Sequence, residues 1–267
     1  MIEGRARTLA SQRMLGEGPV ELFAQGRAPC VVAFHGFTGT GAELMPLLDR
    51  LAEAGYAVDA ALLAGHGTRV ERLQETTYAD WLEGARRRMS AALARHGRVV
   101  LLGFSLGSLL ALELASERPE GVAGVVVLGN ALSLLPGDGV PLGLAARLGL
   151  RMPDLYLRKP HAGDLVDASS MGRLVTYDRH PMRAALEVYR AGPRTRGLVG
   201  RIACPALILH GRQDHVCPWR NATWLADHIG SRDASVRLFE KSAHVLAWDG
   251  EREAVGQEVL AFVERVA

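Results

Sequence analysis

Short apolar runs alternate along this chain with longer segments of helical pattern, and that alternation limits the fold more than any other feature. The predicted strands are 30–36, 56–63, 98–104, 122–129, 205–211 and 234–240, and the predicted helices are roughly 41–54, 80–96, 107–117, 218–229 and 250–265. Most of these strands are apolar throughout, which is typical of parallel strands covered on both faces. The sequence therefore predicts an α/β fold with a doubly wound, mostly parallel sheet. In the run 19–25 apolar and polar residues alternate, and this run is predicted to be an antiparallel edge strand.

One region interrupts this alternation. From residue 131 to about residue 201 the chain contains glycine, proline, arginine and short helical patterns but no clear strand. Ordinary connections in such folds are about 2–6 residues long, so this segment is an insertion with its own structure. An insertion after the carboxyl end of a strand lies over the usual ligand crevice of the sheet. We therefore expect three parts: an N-terminal segment at 1–18 that can be flexible, a core of 19–130 and 201–267, and a cap at 131–200.

The composition excludes several function classes. The 267 residues are 48% hydrophobic and include 31 basic and 29 acidic side chains, a near balance that gives no electrostatic reason to expect nucleic acid. The three cysteines have no metal-ligand spacing, and no apolar run is long enough to span a membrane. We expect no metal, no cofactor and no integral membrane association. The scattered thiols and the absence of an apolar signal core indicate a cytoplasmic location.

The motif Gly-x-Ser-x-Gly occurs as "GFSLG" at 103–107, between a predicted strand and a predicted helix. That context is the one that a nucleophile elbow requires, because the serine then stands at the top of the sheet beside a helix N-terminus. The glycines relieve crowding where the strand and the helix approach each other. Ser105 is therefore the candidate nucleophile.

A serine hydroxyl needs a general base, and the base needs a carboxylate to orient it. In this architecture the chain order is nucleophile, acid, histidine. Asp214 follows the strand that ends in "LILHG", and His244 follows the last strand in "KSAHVLAWD". Both positions lie at carboxyl ends of strands, as Ser105 does, so Asp214 and His244 are the candidate acid and base.

The other histidines and late aspartates have simpler interpretations. His210, at a strand end, is expected to pack in the core, and His66 is expected to shape a turn near the site. Helix or cap surface positions predict solvated rings for His96, His161, His180 and His228. The patterns around Asp227, Asp233 and Asp249 predict exposed charges.

A tetrahedral intermediate also needs fixed N–H donors, each worth about 3–4 kcal/mol, where its negative charge develops. One expected donor is the N–H of Leu106, directly after the nucleophile. The other is expected in the loop after an early strand, "HGFTG" at 35–39, where the Phe37 N–H is the best candidate. The alternative is that these glycines only make a tight turn.

Six segments, "HGFTG", "GYAVDAALLAGHGT", "TTYADWLEG", "GFSLGS", "HGRQDHVCP" and "KSAHVLAWD", resemble the α/β-hydrolase superfamily. They are most similar to bacterial carboxylesterases and monoacylglycerol lipase-like enzymes with a small helical cap. The resemblance covers about residues 20–265 and implies the same roles for Ser105, Asp214, His244, Phe37 and Leu106. One departure is Ser108, because many relatives have a second glycine there; we expect slightly tighter helix packing.

These features predict a serine hydrolase that cleaves carboxylic esters, with short-to-medium acyl esters or monoacylglycerols as substrates, through an acyl-enzyme. The same triad could serve a thioesterase, a lactonase, a perhydrolase or an acyltransferase, and the fold could belong to a non-catalytic ligand-binding protein. Apolar cap residues, among them Leu144, Met152 and Met182, are expected to line the acyl site. The cap arginines and Lys159 are expected to face water, with recognition of an acidic substrate as the alternative.

Overall fold

The computed structural model describes residues 3–5, 14–15, 21–60, 62–135, 139–159 and 163–267. The strands are β1 Glu3–Arg5, β2 Met14–Leu15, β3 Glu21–Ala24, β4 Arg27–Phe34, β5 Tyr56–Ala60, β6 Val99–Phe104, β7 Val122–Leu128, β8 Tyr156–Arg158, β9 Thr176–Tyr177, β10 Arg179–Pro181, β11 Ala206–Gly211 and β12 Ala234–Phe239. The α-helices are α1 Met45–Glu53, α2 Val70–Glu75, α3 Tyr78–His96, α4 Leu106–Ser116, α5 Gly139–Arg147, α6 Met182–Arg196, α7 Arg220–His228 and α8 Arg252–Val266. Short 3₁₀ turns occupy Gly41–Leu44, Ala168–Arg173, Val199–Arg201 and Leu246–Trp248.

Eight strands form one sheet in the order β1-β3-β5-β4-β6-β7-β11-β12. The strands from β5 to β12 in that order pair in parallel, whereas β3 pairs antiparallel with β5. The predicted doubly wound, mostly parallel sheet is therefore confirmed. The alternating run is antiparallel as predicted, but it is not the edge strand, because β1 pairs on its outer side. Part of the predicted N-terminal segment thus extends the sheet.

Both faces of the sheet are covered, which explains why its strands are apolar at successive positions. Within β6, Leu101 packs into the cluster that includes Trp81 of α3. Val100 and Leu102 point the other way, into the cluster that includes Leu48 of α1 and the α8 helix. This alternation follows from the two-residue period of a strand.

The insertion between β7 and β11 contains the helices α5 and α6, and it also contains short strands that the sequence did not predict. β8 pairs with β10, and β9 pairs with β2 from the N-terminal segment. The α6 helix is anchored to the core by an ion pair between Arg194 and Glu113, a buried residue in the middle of α4. None of the helices in the described ranges is both long enough and apolar enough to traverse a bilayer.

Candidate active site

The turn between β6 and α4 places Ser105 at the carboxyl edge of the sheet. Ser105 has φ 52° and ψ −116°, a backbone conformation that a side-chain-bearing residue rarely adopts. Two close approaches explain the flanking glycines. A Cβ on Gly103 would stand 2.2 Å from the Gly107 carbonyl oxygen, and a Cβ on Gly107 would stand 2.0 Å from the Phe34 carbonyl oxygen. The motif therefore forms a strained strand-to-helix elbow, as predicted.

The Ser108 side chain makes two hydrogen bonds at the elbow. Its fully buried hydroxyl donates to the Ser105 carbonyl oxygen at 2.5 Å and accepts from the Ala131 N–H at 3.2 Å. The side chain therefore connects the elbow to the chain that leaves β7. A glycine at this position could make neither hydrogen bond, so Ser108 stabilises the elbow.

Asp214 and His244 meet across two loops that follow β11 and β12. The Nδ1 atom of His244 lies 2.7 Å from Oδ2 of Asp214, and both residues are 6% exposed. The other carboxylate oxygen accepts from the N–H groups of Val216 and Cys217 at 2.8 and 2.7 Å. Two oxygens with fixed donors hold the carboxylate in one orientation, which in turn orients the imidazole ring.

The elbow that carries Ser105 packs against the His244 ring. The ring of Phe104, the residue before Ser105, packs against the His244 ring with centroids 4.9 Å apart. The Ser105 hydroxyl has no hydrogen-bond partner within the described ranges. Such bonds are often long in ligand-free enzymes and tighten when substrate binds.

The packing prediction for His210 is incomplete. The ring is fully buried, but its Nε2 atom lies 2.9 Å from Oδ2 of Asp214, the oxygen that also contacts His244. The same nitrogen lies 3.2 Å from the Cys217 carbonyl oxygen. The spacing could have indicated this contact, because a histidine at the end of β11 lies close to a carboxylate in the turn that follows.

The charges of the pair depend on each other. Burial pulls the pKa of Asp214 upward, but the His244 charge and the hydrogen bonds from His210 and His244 outweigh it and hold the pKa below its ordinary range. Burial lowers the pKa of His244, yet the Asp214 carboxylate outweighs that effect and raises it overall. The geometry thus favours an ionised carboxylate that stabilises a proton on the imidazole.

Asp249 is fully buried, which makes the prediction of an exposed charge wrong. Its carboxylate accepts from the N–H groups of Val166, Asp167, Ala243 and Gly250 at 2.7 to 3.1 Å. It therefore joins the loop that carries His244 to a segment of the insertion. Sequence reasoning missed this role, because the partners are backbone N–H groups, which leave no side-chain pattern in the sequence.

The loop after β4 holds Phe37 in an apolar and aromatic setting. The next residue, Thr38, has φ 66°, and its N–H donates to Nε2 of the buried His66 at 3.3 Å. No acceptor for the Phe37 N–H is present in the described part of the chain. Leu106 is the first residue of α4, so its N–H has no acceptor within the helix. Both predicted oxyanion donors are therefore available, and His66 has the loop-shaping position that was expected.

The predicted substrate residues separate into two groups. Met152 and Met182 belong to an apolar cluster that also contacts Phe37, and Met182 is 3% exposed. Leu144 is 60% exposed and lies outside that cluster, because it occupies the outer face of α5. The prediction for His180 is wrong, since its half-buried ring stacks on Phe37 with centroids 6.0 Å apart. His161 lies outside the described residues.

One group of side chains has a spacing that could suit a metal ion. Ligand atoms of Asp214, Cys217 and His244 all lie within 4.8 Å of one another. Burial raises the pKa of the Cys217 thiol well above its ordinary value, and the nearby Asp214 charge adds to that effect. A neutral thiol is a poor metal ligand, so the group does not favour a metal, and metal-free chemistry stays a prediction.

This architecture is that of an α/β hydrolase. Its sheet is mostly parallel, its serine stands on a strained elbow, and a histidine–aspartate pair lies at the same sheet edge. The chain belongs to the Hydrolase_4 family, described as serine aminopeptidase, S33, whose family model matches residues 26–251.

Similar proteins support a narrower resemblance. The chain is 28% identical to a thermostable monoacylglycerol lipase of Bacillus sp. (strain H-257), over 97% of this chain and 100% of that protein. It is 25% identical to a carboxylesterase of Bacillus subtilis (strain 168), over 91% and 95% of the two chains. A solved structure from work on the metagenome-derived lipolytic enzymes LipS and LipT has a TM-score of 0.85 at 28% identity, covering 94% of this chain and 99% of that one. The resemblance to the carboxylesterase and monoacylglycerol lipase-like subgroup is thus confirmed.

Proposed function

We propose that this protein is a serine hydrolase that cleaves carboxylic esters. The observation that carries the proposal is the 2.7 Å hydrogen bond between His244 and Asp214, which lies at the sheet edge where the elbow presents Ser105. Full-length relatives named as a monoacylglycerol lipase and a carboxylesterase support the same reaction. The ligand is accordingly a small ester.

The proposed reaction begins when Ser105 Oγ bonds to the ester carbonyl carbon while His244 Nε2 takes the hydroxyl proton. The carbonyl oxygen gains the negative charge and accepts from the N–H groups of Phe37 and Leu106. Collapse of the intermediate breaks the bond to the alcohol oxygen, which receives the proton from His244. A water molecule then gives a proton to His244 and attacks the acyl-enzyme, and the acid leaves as Ser105 Oγ regains that proton. Throughout, the ionised Asp214 carboxylate accepts a hydrogen bond from the Nδ1–H of His244 and stabilises the imidazolium.

We assign substrate selection to a cap at 131–200, over the core of 19–130 and 201–267. The cluster that joins Met152 and Met182 to Phe37 supports this assignment, since it brings apolar cap side chains to the predicted oxyanion loop. An apolar wall of this kind suits the acyl chain of a short-to-medium ester or a monoacylglycerol. We also propose a cytoplasmic location, which the three unpaired cysteines Cys30, Cys204 and Cys217 support.

The test is hydrolysis of 1-monoacylglycerols and p-nitrophenyl esters by the purified protein and by its Ser105→Ala variant. We expect ester hydrolysis that the variant loses by several orders of magnitude, since removal of a triad nucleophile costs about 10⁶-fold in a comparable hydrolase. Acyl thioesters and lactones run in parallel would reveal the alternative activities. Absence of both turnover and fluorophosphonate labelling would favour a non-catalytic binding protein.

A further inference from the structure

Glu43 is a buried carboxylate that the proposed reaction does not use, and it lies directly against the loop 36–40. It is 6% exposed, and its Oε2 atom accepts from the Gly36 N–H at 2.9 Å. A Cβ on Gly39 would stand 2.1 Å from Cδ of Glu43, so only glycine leaves room for the carboxylate there. The side chain therefore contacts the loop on both sides of Phe37.

The 3₁₀ turn Gly41–Leu44, which carries Glu43, is fixed at three points. Thr40 Oγ1 accepts from the Ala42 N–H at 3.3 Å and donates to the Val175 carbonyl oxygen at 3.0 Å. The indole N–H of Trp248 donates to the Ala42 carbonyl oxygen at 2.7 Å. Because the turn is held from the insertion and from the segment after His244, the carboxylate has a defined position.

Lys159 reaches the same loop from the insertion. Its Nζ atom donates to Thr38 Oγ1 at 3.0 Å and to Thr176 Oγ1 at 2.6 Å. The Thr38 carbonyl oxygen accepts from the Tyr177 N–H and from Thr176 Oγ1, both at 2.9 Å. Thr38 is the loop residue with the left-handed backbone, φ 66°. The insertion thus holds the residue whose conformation aims the preceding peptide groups.

The two charges interact with each other. Burial raises the pKa of Glu43 to about 7, and the Gly36 hydrogen bond, Lys159 and His244 oppose that rise. Burial lowers the pKa of Lys159 to about 8, and the Glu43 and Asp178 carboxylates oppose that fall. Loss of either side chain therefore removes an opposite charge that favours the ionised form of the other.

We propose that Glu43 and Lys159 are positioning residues that act as one unit on the oxyanion loop. Glu43 holds the loop from the core, Lys159 holds it from the insertion, and together they fix the Phe37 N–H where negative charge develops. The proposal rests on the proposed ester hydrolysis. It adds that the position of the insertion against the core determines where the Phe37 N–H points.

The experiment compares Glu43→Gln, Lys159→Met and the double variant in the full chain, with p-nitrophenyl butyrate as substrate. A misplaced N–H donor stabilises the transition state less well but hardly changes the binding of the ester. Each single variant should therefore lose about 10- to 100-fold in kcat with little change in KM. The affinity for an alkyl boronic acid, which forms a tetrahedral adduct on the serine, should fall in parallel. The double variant should lose less than the product of the two single losses, because the residues act together.

Glu113→Gln and Arg194→Met are matched controls, since this second buried-carboxylate pair joins the insertion to α4 without a bond to the loop. They should reduce the melting temperature with kcat nearly unchanged. Equal kcat losses in the controls, a change in KM alone, or losses that multiply in the double variant would overturn the proposal. If Glu43→Gln fails to fold, Lys159→Met supplies the same kcat and boronic acid readouts. Failure of the proposed function is distinct, because the wild type would then lack activity sensitive to Ser105→Ala.

Discussion

The Nε2 atom of His210 and the Nδ1 atom of His244 contact the same oxygen of Asp214, at 2.9 and 2.7 Å. His210 Nδ1 is buried and has no hydrogen-bond partner in the described ranges. The proton of a neutral His210 ring therefore belongs on Nε2, where it can be donated to Asp214. The acid of the proposed triad thus has an additional buried donor that fixes its orientation.

Replacement of His210 should accordingly reduce activity, although His210 acts on Asp214 and not on the substrate. His210→Phe removes the donor and leaves Oδ2 with His244 alone, so kcat/KM should fall about 10-fold, as expected for a hydrogen bond to a charged group. His210→Gln keeps an N–H donor of similar reach and should lose less. Steady-state kinetics on both variants is the test, and equal activity of His210→Phe and wild type would show that the contact is only packing.

The pH dependence of kcat/KM should have an acid limb above the ordinary histidine value of about 6.5. The neutral imidazole of His244 must accept the Ser105 proton, so activity is lost as the pH falls through the pKa of His244. Burial lowers that pKa, but the Asp214 carboxylate outweighs burial and raises it. A pH profile with a monoacyl ester checks this, and a limb midpoint clearly below 6.5 would contradict it.

Asp249→Ala should destabilise the fold and reduce activity together. The substitution removes the acceptor for the buried N–H group of Ala243 and for the part-buried N–H groups of Val166, Asp167 and Gly250, and a buried donor without a partner costs about 1–3 kcal/mol. We expect a loss of about 3 kcal/mol or more in the free energy of unfolding. Asp233→Ala is the matched control, because Asp233 is half exposed, pairs with Arg265 and should change stability by about 1 kcal/mol or less. Similar urea midpoints for the two variants would refute the structural role of Asp249.

Cap residues should differ in their effect on chain-length preference. Met182→Ala removes buried apolar surface beside Phe37 and should lower kcat/KM for medium-chain p-nitrophenyl esters relative to the acetyl ester, by up to about 0.8 kcal/mol for each methylene no longer covered. Leu144→Ala is the control, since its side chain is mostly exposed and should leave the profile unchanged. A profile that shifts with Leu144→Ala but not with Met182→Ala would place the acyl site elsewhere.

The sheet and the triad positions could be predicted because they depend on local patterns. Continuous apolar runs specify buried parallel strands, and Ser105, Asp214 and His244 each follow such a run directly. The structure brings Asp214 and His244 together as this reasoning requires.

The insertion and the buried polar groups could not be predicted in the same way. β8, β9 and β10 have two or three residues each, too few to show a period, and α2 has only six residues. The roles of Asp249, Glu43 and Lys159 could not be read from the sequence, because their partners are backbone and hydroxyl groups whose positions depend on how the loops fold. Only the tertiary structure shows that Asp249 and Glu43 are buried and that the half-buried Lys159 donates to two threonine hydroxyls.

Acylation of Ser105 can be tested by peptide mapping of an acyl-enzyme trapped by acid during turnover of a p-nitrophenyl ester. We expect a burst of about one equivalent of p-nitrophenolate where deacylation is slow, and an acyl mass increment on the peptide that contains Ser105. The increment should be absent from Ser105→Ala. An increment on another residue, such as Cys217, or turnover that persists in Ser105→Ala would contradict the account.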